Sequence, residues 1–453
     1  MTWLAAHFTL VLGTFLATIA AVMVLQQRRT PQSSAAWLLA IVALPYLAIP
    51  LFLGLGFRKQ GPRFRPIRFG ERPEKADMPP PHKLAGVLGK FGIPAATGGN
   101  RFCLLDTPQT AHDRLLAMIL ESRTSIDAMF YAVADDAVGV AFVHALASAA
   151  RRGVRVRLLM DRLGALRRPR QALAELALAG GTVKYASPFL HALNRGHLNL
   201  RNHRKMLIAD RAAVFSGGMN VGADYMGQPK AGAWVDIAYF LEGPEAARFC
   251  DVFDADFGAS GAPVSQPDAM PAQTKTNATV QLLPSGPDIP GDPLHDGLVY
   301  AIHTAETRIW LATPYFLPTE MLGSALAIAA RRGVDVRIIL PAHSNQRLAD
   351  FARGAYVREL AQAGCRVLLF RPGMMHAKCG VIDGLGYVGS ANFDVRSMLL
   401  NFETTLVVFD TASVRLLVDW FARIAPDCGD WAAPGGLLRR VSEGVFRLGA
   451  PVL

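Results

Sequence analysis

The feature that most constrains this chain is a spacing that occurs twice. His203, Lys205 and Asp210 stand in "LNLRNHRKMLIAD", and His376, Lys378 and Asp383 repeat the same intervals in "HAKCGVID", about one domain further along. Both copies sit inside a larger repetition. "AARRGVRVRLLMD" (Ala149 to Asp161) matches "AARRGVDVRIILP" (Ala329 to Pro341) at nearly the same offset. Each is a helix end, a glycine stop and a β-rich strand. Each half then runs through a further helix and strand to the histidine motif and a glycine turn, "FSGGMN" from Phe215 and "YVGSAN" from Tyr387. This alternation predicts a mixed α/β/α sandwich in each half, the two forming a pseudo-two-fold pair whose motifs face each other.

The motif has a chemical reading. Residues two apart on a strand share a face, so His203 and Lys205 are expected to project to one side, and His376 and Lys378 likewise, with Asp210 and Asp383 beyond the strand. A phosphodiester exchange needs a nucleophile, an acid for the leaving alkoxide and positive charge for the non-bridging oxygens. Two histidines and two lysines supply these without a metal or other cofactor. With 11 histidines in the chain, a chance HxKxxxxD arises in roughly 0.04 of such sequences, and two in register in about one in a thousand. A single copy would read as a solvated strand; the pair inside a repeat reads as one composite site.

Two apolar runs precede the repeat. Trp3 to Leu25 is interrupted only by His7 and threonines, and Ala35 to Phe57 follows, so each is long enough to cross a hydrocarbon core and together they predict a transmembrane hairpin. A removable signal peptide fits less well, because Met1-Thr2 offers no basic leader. Pro45 and Pro50 are positioned to kink the second helix or turn it back. Arg28 and Arg29 lie between the runs, whereas Arg58, Lys59, Arg63, Arg65 and Arg68 follow the second, which puts the body in the cytoplasm. The expected organisation is a hairpin at 1–59, a basic Pro/Gly-rich connector at 60–100, a first α/β domain at 101–258, a linker at 259–279, a second α/β domain at 280–430 and a C-terminal segment at 431–453. In that last segment Leu437, Val441, Val445 and Leu448 share a helical face, suited to a membrane surface or to docking on the body.

Composition adds two limits. The excess of 47 Lys+Arg over 36 Asp+Glu gives a net charge of +11, which suits phosphate polymers and anionic lipid alike. The five cysteines are scattered with no CxxC pair, so neither a disulfide framework nor a zinc site is indicated.

The paired motifs, with "GGMN" and "GSANFDVRS" after them, resemble the phospholipase D superfamily from roughly Asn100 to Cys428. The finer text, "RRTPQSSAAWLL", "LNLRNHRK", "GGMNVGADY", "SGPD", "TPYFLPT" and the terminal "APVL", resembles the bacterial cardiolipin synthases within it. The resemblance implies two phospholipase-D-like α/β/α sandwiches in a pseudo-two-fold pair behind the hairpin. It implies catalytic roles within His203, Lys205, Asp210, His376, Lys378 and Asp383: one histidine, His203 in the first instance, forms a phosphohistidine and the other acts as acid and then base. Nothing in the sequence fixes that order. Lys205 and Lys378 would hold the phosphate oxygens with Asn220, Asn392 and the Ser390 hydroxyl, whose counterpart in the first half is Gly218. Asp236 and Glu403 would orient the histidines, leaving Asp210 and Asp383 as buried hydrogen-bonding residues or strand-end caps.

The implied reaction is phosphatidyl transfer between two phosphatidylglycerol molecules, giving cardiolipin and glycerol, by a multi-pass protein of the bacterial inner membrane. No nucleotide is needed, consistent with the lack of a GxxxxGK[ST] loop. Hydrolysis by water, transfer involving phosphatidylethanolamine, a nuclease and a non-catalytic lipid-binding scaffold remain alternatives. Membrane runs argue against a nucleic-acid substrate, and six intact motif residues argue against a scaffold.

Overall fold

The computed structural model describes residues 2–26, 31–55, 66–70, 82–186, 200–228, 232–259, 274, 276–432, 435–436, 439 and 441–444. Connector residues 71–81, linker residues 260–273 and the chain from 445 onward lie outside them.

The chain divides into two units. One contains the N-terminal helices Thr2–Leu25, Pro31–Ala43 and Pro45–Leu55. The first includes His7–Leu25, 19 residues with mean hydropathy 2.4, long and apolar enough to cross a membrane. The second run is not the single spanning helix the sequence predicts. Pro45 has no N–H to offer the preceding turn, and the run breaks at Leu44 into helices of 13 and 11 residues, each short of the roughly 20 a crossing needs. The three helices share a core of Ala20, Val24, Ile41, Ala48, Ile49 and Phe52, and the Tyr46 hydroxyl donates to the Thr9 carbonyl.

The other unit is built on one fifteen-stranded sheet that runs through both halves of the repeat. At its centre Thr97–Leu105 pairs antiparallel with Ala278–Ser285. Outward on one side come Ala238–Glu242, Ala213–Gly217, Met206–Ala209, Ser125–Phe130, Arg155–Asp161 and Thr182–Ala186. Outward on the other come Glu403–Val408, Leu385–Gly389, Cys379–Ile382, Arg308–Ala312, Asp335–Pro341 and Arg366–Phe370, with Cys428–Asp430 at the edge. The two lists correspond strand for strand, so the repeat in the sequence is a repeat in the fold.

Local chemistry explains the correspondence. Helix Ala137–Arg151 starts at Asp136, whose carboxylate caps Gly139 N–H at 2.9 Å, and helix Glu320–Arg331 starts at Thr319, which caps Leu322 N–H at 3.3 Å. Leu322, Ala325, Leu326 and Ala329 make one buried helical stripe. Both helices end at a left-handed glycine, Gly153 with φ 91° and Gly333 with φ 90°, and the chain turns into Arg155–Asp161 and Asp335–Pro341. The arginines before these glycines reach back: Arg152 donates to the Ile119 carbonyl and Arg332 to those of Ile302 and Ala305, tying the previous helix end in both halves.

Parts of the stretches read as connector and linker are structured. Helix Lys83–Gly89 buries Leu84 and Leu88, and the central strands start at Thr97 and Ala278. At the far end Glu443 is buried and accepts from Arg358 and Arg439, both at 2.9 Å, so the described C-terminal turn docks on the body while Val441 stays exposed.

Candidate active site

The two motifs lie just ahead of their strands rather than on them. His203 and Lys205 precede Met206–Ala209, and His376 and Lys378 precede Cys379–Ile382. Each approach segment is held by the opposite half. Asn202 bridges Phe402 in parallel, and His203 N–H donates to the Phe402 carbonyl at 2.9 Å. Gly373–Met375 pairs in parallel with Gly232–Val235, and the N–H groups of His376 and Ala377 donate to the Val235 carbonyl at 2.7 and 3.1 Å. Phe402 and Val235 each immediately precede an acid, so this backbone pairing delivers Glu403 to His203 and Asp236 to His376.

The carboxylates meet the imidazoles at Nδ1. His203 Nδ1 lies 3.0 Å from both Glu403 oxygens, and His376 Nδ1 lies 2.6 Å from Asp236 Oδ2. A carboxylate at Nδ1 accepts a hydrogen bond from Nδ1–H, which holds the ring proton there and leaves Nε2 with its lone pair. Lys205 Nζ donates to its own motif's His203 carbonyl at 2.6 Å. Lys378 Nζ donates to the His376 carbonyl, lies 2.7 Å from His376 Nδ1 and stands 3.8 Å from Asp236 Oδ2.

The surroundings differ between the histidines. Trp234 stacks on His376 with centroids 4.7 Å apart and Tyr225 meets it edge-on at 5.2 Å, whereas His203 has Tyr131 edge-on at 5.3 Å. His203 keeps 17% of its side-chain surface and His376 keeps 7%. Burial lowers the His203 imidazole below its ordinary value, outweighing the opposing pull of Glu403, with Lys205 and Lys378 adding to the lowering. Burial together with Lys378 pushes His376 down to about 3. Burial also brings Lys205 to about 7 and Lys378 to about 8. The site therefore holds neutral, nucleophilic imidazoles beside lysines whose charged form gains from an arriving anion.

The remaining predicted residues divide. Ser390 donates its hydroxyl proton to Glu403 Oε2 at 2.5 Å, so it steadies the acid rather than reaching for phosphate. In the first half a Cβ on Gly218 would sit 2.3 Å from Asp236 Oδ1, so the shorter acid occupies the space a serine would fill. Asn220 accepts from Ala132 N–H at 3.3 Å and donates to the Tyr225 hydroxyl at 3.1 Å. The buried Asn392 Oδ1 has no partner among the described residues.

Asp210 and Asp383 are not at the histidines. Both are half-buried, at strand-end turns with φ 49°, and gather the N–H groups of a preceding loop: Arg123, Thr124 and Ser125 for Asp210, Glu306, Thr307 and Arg308 for Asp383. Burial would raise these carboxyls, but the backbone donors bring Asp210, and with the Thr307 hydroxyl Asp383, below the usual range. They are turn caps, one of the two readings the sequence left open, and stand apart from the histidines with which the motif groups them.

Arg204, between His203 and Lys205, was not singled out by sequence. It is fully buried and points away from the site, donating to both oxygens of Asp256 at 3.0 and 2.9 Å, to both of Asp288 at 2.8 and 2.9 Å, and to the Ser285 and Glu403 carbonyls. It thereby joins the first half to the second directly beneath the histidine pair. Among the described residues no group of three or more His, Cys, Asp or Glu is arranged to hold a metal.

Comparison with known proteins bears on the family and the repeated fold. The family model described as "Cardiolipin synthase, PLD-like domain" matches residues 115–250 and 298–425, one match per half. Cardiolipin synthase A of Pseudomonas fluorescens (strain SBW25) is 32% identical over 99% of this chain and 98% of its own length. Cardiolipin synthase A of Yersinia pseudotuberculosis (serotype O:3, strain YPIII) is 31% identical over 95% of each. Among solved structures, the phosphatidylserine synthase of Haemophilus influenzae Rd KW20 covers 82% of this chain and 100% of its own with a TM-score of 0.63 at 13% identity, a likeness of fold.

Proposed function

The chain belongs to the cardiolipin synthase family of phospholipase-D-like enzymes, and from that footing we propose that it joins two phosphatidylglycerol molecules into cardiolipin through a phosphohistidine. It is a membrane-associated phosphatidyltransferase acting on phospholipids. The observation that carries the finer reading is the crossed pair of imidazoles, each with Nδ1 committed to a carboxylate of the opposite half and each with a lysine two residues on.

With the anionic phosphodiester in place His376 takes up a proton from solvent at Nε2; His203 Nε2 attacks the phosphorus of the first lipid, and the P–O bond to the headgroup glycerol breaks as that oxygen takes the proton from His376. The headgroup hydroxyl of the second phosphatidylglycerol then gives its proton back to His376 and attacks phosphohistidine, forming the new P–O bond and freeing His203. His203 suits the nucleophile because it is the more open ring; His376, the more enclosed ring, suits the acid because Asp236 at 2.6 Å from Nδ1 supports the charged form once the lipid phosphate is in place. Lys205, Lys378 and Asn392 would hold the non-bridging oxygens. An isolated histidine could not stay neutral as attacker and become charged as acid in one environment; two differently surrounded rings can divide the tasks.

The basic cluster Arg58, Lys59, Arg63, Arg65 and Arg68 supports a cytoplasmic body behind an N-terminal anchor in the inner membrane. The test of the reaction is to supply phosphatidylglycerol as sole lipid, with EDTA present, and follow both products. Equimolar cardiolipin and glycerol are expected. Phosphatidic acid and glycerol without cardiolipin would make it a hydrolase, and turnover only after adding phosphatidylethanolamine would change the second substrate.

A further inference from the structure

Two loops beside the site carry the same unusual surface. The first leaves Arg155–Asp161 and reads RLGALRRPR over 162–170; the second leaves Asp335–Pro341 and reads AHSNQRL over 342–348. Leu163, Leu166 and Leu348 are exposed by 41%, 58% and 53%. Arg162, Arg167, Arg170 and Arg347 are exposed with them. No Asp or Glu occurs between 162 and 174 or between 342 and 349. Arg167, Arg170 and Arg347 have no carboxylate partner among the described residues. A lone exposed leucine is ordinary. Leucines together with arginines that have no carboxylate partner, at corresponding places in both halves where the flanking Asp161 and Asp350 are engaged on Leu163 and Ser344 N–H, are not.

Both loops are wired to the chemistry. Asp161, the last residue before the first loop, accepts Asn202 N–H at 2.9 Å, next to His203. In the second, Asn345 accepts from the Tyr315 hydroxyl at 2.5 Å. The Tyr315 carbonyl accepts from the Thr313 hydroxyl at 3.0 Å, and that oxygen accepts Phe393 N–H at 3.0 Å, next to Asn392. The first loop is also set in shape: Arg162 and Arg168 lie over the Tyr185 ring at 5.8 and 5.3 Å, and Arg168 donates to the Ala165 carbonyl at 2.9 Å.

We infer that residues 162–170 and 342–348 form the rim by which the catalytic body rests on an anionic phospholipid bilayer. The leucines enter the boundary between headgroups and acyl chains, and the arginines hold lipid phosphates. This rests on the phosphatidyl-transfer reading, since a lipid whose phosphate must reach His203 has to leave the bilayer beside it. It adds a surface that the two-histidine chemistry does not require.

The test places Leu166→Cys, and separately Leu348→Cys, in the full-length protein, labels each with a nitrobenzoxadiazole fluorophore and reconstitutes it in nanodiscs of phosphatidylglycerol or of phosphatidylcholine. Wild-type protein labelled in parallel accounts for Cys103 and Cys428, the half-buried native thiols. Emission is expected to move to shorter wavelength and rise about twofold in phosphatidylglycerol relative to phosphatidylcholine. Arg167→Glu with Arg170→Glu should remove that difference at position 166. Equal emission in both lipids, or a difference that survives the arginine changes, would overturn the proposal. The readout does not depend on turnover, so a wild-type protein that makes no cardiolipin would count against the reaction and leave the rim to be judged on its own signal.

Discussion

His203 and Glu403 are 200 residues apart, yet the histidine Nδ1 lies 3.0 Å from both oxygens of that carboxylate. His376 makes the reciprocal contact with Asp236, and in both cases a parallel backbone bridge from one half to the other sets the approach. Neither half can assemble a working imidazole alone. Glu403→Gln and Asp236→Asn keep the shape and remove the charge that fixes the tautomer, so each should lower cardiolipin formation by about a hundredfold or more. Near-normal turnover in either variant, with an unaltered thermal midpoint, would detach the acids from the mechanism.

The Gly218 and Ser390 asymmetry follows from the lengths of the two acids. Glu403 reaches its histidine with a hydroxyl beside it, while Asp236 fills the space where that hydroxyl would be. Gly218→Ala should push Asp236 off His376 and reduce turnover about tenfold or more, and Ser390→Ala should free one Glu403 oxygen with a smaller loss. Parallel measurement of kcat and KM checks this: the expected change is in kcat, whereas a pure KM effect would mean that both positions contact lipid instead.

The lowered lysines give the reaction a pH dependence of definite sign. Lys205 near 7 and Lys378 near 8 must be charged to receive a phosphodiester, so kcat/KM should fall as pH rises from 7 to 9. Stability of the lipid-free protein should move the other way. The unfolded chain keeps these lysines protonated to about 10.4 while the folded chain has released them, so raising the pH relieves the penalty of burying charge. Activity profiles and thermal melts over the same buffers test both limbs; a kcat/KM that rises through pH 9 would remove the lysines from phosphate binding.

The repeat and the histidine and lysine pairs were legible because they are local intervals in a duplicated pattern; the strand order was not, because it depends on pairings between distant segments. The crossing of the acids was not, since Asp236 and Glu403 follow their own motifs in sequence and nothing in the spacing says that a parallel bridge hands each to the other half. The break at Leu44 was half visible: Pro45 and Pro50 forecast a kink, but the run's unbroken apolarity favoured one long helix. Asp210 and Asp383 were legible as strand-end caps, but which loop each caps was not, because the capped N–H groups lie about 80 residues away. Arg204 left a trace, a charge inside a motif whose second copy has Ala377 in that place, but its partners Asp256 and Asp288 are far away in sequence.

That arginine sets the last prediction. Burial works against its charge, but Asp256 and Asp288 more than offset this and raise its pKa above the ordinary guanidinium value. Arg204→Met removes the cation and leaves two carboxylates buried without it, a loss of about 3–5 kcal/mol by analogy with other broken buried pairs. The thermal midpoint should drop clearly, and Asp256→Asn with Asp288→Asn in the same chain should recover much of the drop, because the stranded charges are then gone. Activity need not recover with it: Arg204 also donates to the Glu403 carbonyl, so a restored melt with persistently low turnover would assign it to the placement of the histidine pair. Full recovery of both would make it a clamp between the halves and nothing more.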